Sequence, residues 1–301
     1  MGQVWRRGSR QASHGHERGS IPRIHGEALR ALMLTATVLM TCVPTYASSA
    51  RSARARIAVS YVPPSDPAHR EIYRMLQRQR VLERLGEVIR LVRLPHRLTF
   101  RMKGCGGEPN AWYDPESYSV TMCYEMVAAI VNLAPRTRSP AGVTRDQAIR
   151  GPVAQILLHE TSHALFHLLR VPIFGREEDA ADQLASLILL QLAPARARAV
   201  VNGSGYFFAT LGRQEPMEKG RFADVHGLSW QRFYNLVCLA YGWNPHRYGD
   251  IVAKGYLPQE RAERCGEETE QVSHAFERLI VPHLRVRPHR GVNLRRAWRS
   301  R

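Results

Sequence analysis

The sequence predicts an α+β fold, with a small N-terminal β-sheet packed on one buried helix and a mainly helical C-terminal half. Three observations carry this expectation. Apolar and polar residues alternate over 57–62, 98–102 and 118–124, the period of half-buried strands. Residues 156–169 are apolar nearly all round a helix, so that helix belongs at the centre. Beyond it, apolar residues recur at helical spacing as far as Leu284.

Residues 57–62 form the first strand, ended by Pro63-Pro64. Asp66-Pro67 starts a helix, with Asp as cap and Pro at the first helical position. Ile72, Met75, Leu76, Leu82, Leu85, Ile89 and Val92 extend it as one amphipathic helix ending before Pro95. Leu98, Phe100 and Met102 line a second strand. Tyr118, Val120, Met122 and Tyr124 line a third, expected to pair with the second like a hairpin. Two glycines and two prolines between them mark irregular backbone. Residues 125–133 read as a short helix, and Thr144-Arg145-Asp146-Gln147 is a capping box. Gly151-Pro152 is expected to open the central helix, which runs to about Arg170 before Pro172. The turn 172–175 leads into a helix through Leu190. Residues 201–228 are Gly-rich and read as irregular. Ser229 caps a helix over 230–241, and further helices cover 244–254 and 258–284.

The 301 residues carry a formal charge of +17, yet only three of the 43 basic residues are Lys. Such an Arg bias follows genome composition as readily as function, so no nucleic-acid partner is expected. Residues 285–301 hold seven Arg and no acid and are expected to form a solvated, disordered tail. Residues 31–43 are an uncharged run of 13, too short to span a bilayer, with basic residues before it and small ones after. This predicts a signal peptide over 1–47, cleaved near Ala47 or Ala50. Residues 48–56 are expected to be disordered, and 57–284 to form the domain, with the sheet and site helices in 57–191 and the helical half in 192–284. The protein is then exported, periplasmic or secreted, without a transmembrane helix in its mature form. Cleavage removes Cys42 and leaves Cys105, Cys123, Cys238 and Cys265. An even count in an exported chain predicts two disulfides. Three pairings are open, and the two local closures, Cys105–Cys123 and Cys238–Cys265, are favoured.

The chemistry concentrates in the central helix, at His159-Glu160-Thr161-Ser162-His163, an HExxH pattern. Residues four apart share one helix face, so His159 and His163 can offer two imidazole nitrogens to one metal ion. Glu160 lies about 100° round the helix, where it can reach a water without ligating the metal. Two neutral imidazoles suit Zn²⁺, and a catalytic site keeps one position for water. On the next helical pattern Glu178 and Asp182 are again four apart. A third ligand and a carboxylate that fixes an imidazole tautomer are what a catalytic zinc needs.

The two segments together resemble the gluzincin metallopeptidases, the thermolysin-like branch of the zincins, whose pattern is HExxH followed by ExxxD on the next helix. The resemblance implies a zincin-like fold and one Zn²⁺ per chain, with His159, His163 and Glu178 as ligands. It also implies Glu160 as general base and Asp182 hydrogen-bonded to one ligand histidine. Glu177 and Asp179 are the rival third ligands, though neither is followed by an acid four residues on. Asn110-Ala111-Trp112-Tyr113 resembles the edge segment on which these enzymes bind peptide backbone as an added strand, which implies substrate contacts from Asn110, Ala111 and Trp112. The plainer alternative is a packed aromatic turn. By the same analogy a second donor to the oxyanion is expected from the C-terminal half. His226 is the candidate, with Asp224 near enough in sequence to orient it, and Tyr113 and Tyr124 are the alternatives. His167 is expected to pack rather than ligate. Over 57–284 the chain resembles one family of exported bacterial metallopeptidases, through CGGEPNAWYDP, TMCYE, HETSHALFH, GREEDAADQLA and DVHGLSWQRFYNLVC.

These resemblances imply an exported zinc-dependent peptidase acting on a polypeptide substrate. Two other functions stay open: an exported binding protein with a structural or vestigial metal site, and a zinc amidase acting on a cell-wall substrate. Neither a phosphate-binding Gly loop nor a GxSxG elbow is present to suggest other chemistry.

Overall fold

A computed structural model describes residues 56–285. The expected signal peptide, residues 48–55 and the basic tail beyond Arg285 lie outside the described residues.

β1 (Ile57–Tyr61) is followed by Asp66, whose Oδ1 accepts from Ala68 N at 2.9 Å, and by a 3-10 turn opened by Pro67. The single helix expected next is two, α1 (Arg70–Arg78) and α2 (Val81–Ile89). Arg80 between them has φ 51°, a left-handed conformation that no helix propagates. The break lets α1 pack on α3 while α2 lies on β1, where a Cβ on Gly86 would stand 3.0 Å from Ile57 Cγ2.

β2 (Leu98–Lys103), β3 (Ala111–Asp114) and β4 (Ser119–Cys123) complete a four-stranded sheet in the order β1-β2-β4-β3. β1–β2 and β2–β4 are parallel, and β3–β4 is antiparallel. The hairpin expected between the second and third strands is therefore corrected. The chain between them carries β3, which reverses direction first, and the hairpin is β3–β4. The Cys105–Cys123 bridge joins neighbouring ends of two parallel strands, with Cα atoms 5.6 Å apart. β4 is buried along its whole length, as a central strand covered on both faces should be. β3 is left at the sheet edge, in contact with the central helix.

α3 (Tyr124–Leu133) leads to that helix, α4 (Arg145–Leu169). The capping box is its true start: Thr144 Oγ1 accepts from Gln147 N at 3.2 Å, and Gln147 Oε1 accepts from Thr144 N at 3.0 Å. Gly151-Pro152, expected as the opening, lies inside it. Pro152 forfeits one backbone hydrogen bond. Gly151 has another purpose, set by α6 (Pro194–Gln214), which runs through much of the Gly-rich stretch expected to be irregular. A Cβ on Gly151 would stand 2.7 Å from Gly203 Cα, and one on Gly203 only 1.8 Å from Gln147 O. The glycines thus mark a close crossing of two helices rather than a loop. Gly203→Ala is expected to destabilise the protein by at least about 3 kcal/mol. Urea unfolding would check this, and an unchanged midpoint would show that the helices do not cross here.

α5 (Glu177–Leu190), a short α7 (Lys219–Phe222), α8 (Ser229–Trp243), α9 (Pro245–Ala253), α10 (Gln259–Ala262) and α11 (Cys265–Leu279) make the remainder helical. Irregular backbone shrinks to 215–228 around α7, and the helix expected over 258–284 is divided between α10, α11 and a terminal 3-10 turn. Leu228, not Ser229, precedes α8; Ser229 N donates to Glu215 Oε2 at 2.7 Å. The second bridge, Cys238–Cys265, ties α8 to α11. Among the described residues no helix is long and apolar enough to cross a membrane.

Candidate metal centre

α4 is buried on almost every side, so the polar groups it carries there need partners. α5 supplies them. His159 Nε2 and His163 Nε2 lie 3.2 Å apart, and Glu178 Oε2 is 3.0 Å from the first and 3.1 Å from the second. A tetrahedral Zn²⁺ with bonds near 2.1 Å needs donor atoms about 3.4 Å apart, so this triangle fits a metal after a small expansion. The tautomers fit as well. His159 Nδ1 is 2.8 Å from Asp182 Oδ1, and His163 Nδ1 is 2.6 Å from Glu177 Oε1. When the rings are neutral, each carboxylate can accept the Nδ1 proton, which leaves the Nε2 lone pair facing the common point. Two lone pairs and a carboxylate converging in a buried space call for a cation among them.

The electrostatics show the same demand for positive charge. Burial opposes a charge on His159, but Asp182 outweighs it and raises the imidazole to about 9. His163 is also raised, against its burial, by its bond to Glu178. Burial pushes the Glu178 carboxyl up, yet the bonds from His159, His163 and His226 hold it far below the usual carboxylate range. Glu160 is 5% exposed, and burial, only partly offset by the neighbouring histidines, pushes its carboxyl up.

Asp182 is fixed from behind. Arg232 on α8 donates Nε to Asp182 Oδ2 at 2.6 Å and Nη2 to Oδ1 at 2.7 Å. Burial raises the Asp182 carboxyl, but the Arg232 charge and then His159 hold it well below the ordinary range. His226 arrives on the irregular segment 215–228. Its Nε2 is 2.9 Å from Glu178 Oε2, and its Nδ1 is 3.3 Å from Asp224 Oδ1. Arg221 pairs with both Asp224 and Glu215, which holds this segment in shape. His226 approaches Glu178 but does not belong to the tight group of donor atoms formed by His159, His163 and Glu178.

The other candidate residues have partners of their own. Tyr124 donates its hydroxyl to Val62 O at 2.7 Å, and Tyr113 is hydrogen-bonded to His167 Nδ1 at 2.8 Å. His167 also stacks on Tyr118. Asn110 precedes the edge strand β3, in which Ala111 is buried and Trp112 lies under Lys103 Nζ. Cys105, Cys123 and Glu125 also cluster, but the sulfurs are bonded to each other and Glu125 Oε1 accepts from Cys105 N and Gly107 N. A depression of about 360 Å³ opens beside Arg176, Asp179, Gly227 and Arg232, but none of His159, Glu160, His163 and Glu178 lines it.

Two partners escaped the sequence reasoning. Glu177, a rival ligand by sequence, lies 2.6 Å from His163 Nδ1 through its Oε1. Arg232 carries one sequence signal: an Arg between Trp230 and Phe233 in an apolar helix face has to be paired. No curated protein and no solved structure matches the chain. A family model described as "Putative metallopeptidase" matches residues 61–280, and with most of its length covered the chain belongs to that family, DUF4344.

Proposed function

We propose that the protein is an exported, zinc-dependent peptidase of the gluzincin type, with a zincin-like arrangement of sheet and helices. The observation that carries this is the convergence of His159, His163 and Glu178, whose donor atoms all lie within 4.8 Å of one another. When bound there, Zn²⁺ would supply a Lewis acid that polarises the scissile carbonyl and acidifies a water. Asp182 and Glu177 keep the two imidazoles in the tautomer that turns Nε2 inward. Glu160 takes the proton from the attacking water and passes it to the leaving amine. A carboxyl pushed up by burial suits both halves of that task. His226, held by Asp224, donates to the developing oxyanion. Asn110, Ala111 and Trp112 offer the sheet edge on which an extended substrate adds as a strand. Export rests on the apolar run at 31–43 and agrees with two disulfides.

The test is metal analysis of the mature protein together with digestion of a broad peptide library. About one zinc per chain is expected, with cleavage that chelation abolishes and zinc restores. Zinc bound without any hydrolysis would instead return the binding-protein alternative. A protein that takes up no metal would end the peptidase reading and leave a binding protein with a vestigial site.

A further inference from the structure

The segment that brings His226 to the metal centre has no apolar anchor of its own before Gly227. Its apolar side chains Met217, Phe222 and Val225 are exposed, and the short α7 within it buries no residue. Over 215–226 the residues that are covered are Glu215, Arg221, Asp224 and His226, with side chains 7%, 19%, 21% and 11% exposed. Apolar burial therefore does not set the shape of this stretch. Its charged groups do, and they form one chain of contacts. Glu215 ends α6, and its Oε2 accepts from Ser229 N, at the start of α8, at 2.7 Å. Both ends of the segment are thus tied to one carboxylate. Its other oxygen, Oε1, accepts from Arg221 Nε at 3.0 Å and also from Nη2. Arg221 Nη1 donates to Asp224 Oδ2 at 2.7 Å. Asp224 Oδ1 accepts from His226 N at 2.9 Å and faces His226 Nδ1 at 3.3 Å. The guanidinium is planar with its donors in a fixed fork, so it sets the separation of the two carboxylates it joins.

We propose that Arg221 is the positioning residue for His226. It holds Asp224 against the junction of α6 and α8, and Asp224 in turn fixes the imidazole so that Nε2 points into the centre, 2.9 Å from Glu178 Oε2. That this orientation serves catalysis rests on the reading of His226 as donor to the oxyanion. The clamp itself does not depend on that reading.

The test compares wild type, Arg221→Gln, His226→Ala and the double variant as zinc-loaded mature proteins. Hydrogen exchange should rise over 215–228 in Arg221→Gln and stay unchanged in α4 and α5. Zinc affinity should not move. On a peptide from the library digest, Arg221→Gln should lower kcat about tenfold and leave KM unchanged. That is less than the roughly 10²-fold expected of His226→Ala, because the ring is present but no longer held. The double variant should be no slower than His226→Ala alone, since Arg221 acts only through that ring. If the two losses multiply, or if exchange over 215–228 is unchanged, Arg221 does not position His226 and the proposal is refuted. Glu215→Gln, which frees Arg221 at its other end, should give the same pattern and decides the matter if Arg221→Gln does not fold. If the segment loosens in the variants yet His226→Ala leaves kcat untouched, the clamp stands and the oxyanion reading of His226 is what fails.

Discussion

Glu160→Gln is expected to keep its metal and to lower kcat by roughly 10²- to 10⁴-fold, the range for loss of a positioned general base. Glu160 is one residue from His159, yet its carboxylate is outside the triangle of donor atoms that would hold the ion. The amide has nearly the same shape as the carboxyl and cannot accept the proton. Folding should not suffer. Burial already disfavours the ionised form of Glu160, so a neutral isostere at 5% exposure removes a strained charge rather than a needed one. Zinc content, thermal midpoint and kcat on one peptide from the library digest decide the matter together. Loss of zinc would make Glu160 a ligand, and retained activity would place the base on another residue.

What the sequence disclosed were local relations. HExxH sets two imidazoles on one face of α4 because helix geometry leaves no choice at that spacing. The same rule puts Glu178 and Asp182 on one face of α5, and the structure points them at the same histidine, one at each ring nitrogen. Asn110 to Tyr113 was legible as an edge segment only through its resemblance to thermolysin-like enzymes, beside the alternative of an aromatic turn, and the edge strand is Ala111–Asp114. The relations that stayed hidden are long-range or ambiguous. β2 and β4 read as a hairpin because alternation reports a strand's faces but not its direction. Gly203 read as loop because glycine serves a turn and a close helix crossing equally well. Arg80 breaks a helix with a residue type that favours helix, and no composition signal announces it. Arg232 reaches Asp182 across fifty residues of chain, so only its improbable place on an apolar face could have suggested a partner.

Removing the Glu178 carboxylate and removing the His226 ring should have different effects, the first on metal affinity and the second on kcat, although the two groups lie 2.9 Å apart. Glu178→Ala takes away a charged donor on which His159, His163 and His226 all converge. Zinc affinity should fall by more than about 10²-fold, the upper range for losing only an outer partner such as Asp182. Asp182→Ala is the calibrating variant: it frees His159 Nδ1, leaves Arg232 buried without its carboxylate, and should weaken zinc by about 10- to 100-fold. His226→Ala should keep zinc and lower kcat by roughly 10²-fold, as expected for one lost oxyanion donor. Competition against a chromogenic chelator measures all three affinities on one scale. If Glu178→Ala binds as tightly as wild type, Glu177 or Asp179 supplies the third ligand and the assignment made from α5 is wrong. If His226→Ala is the variant that sheds its metal, the imidazole moves in on binding, and the oxyanion donor has to be sought on the β3 side of the centre, beginning with Tyr113.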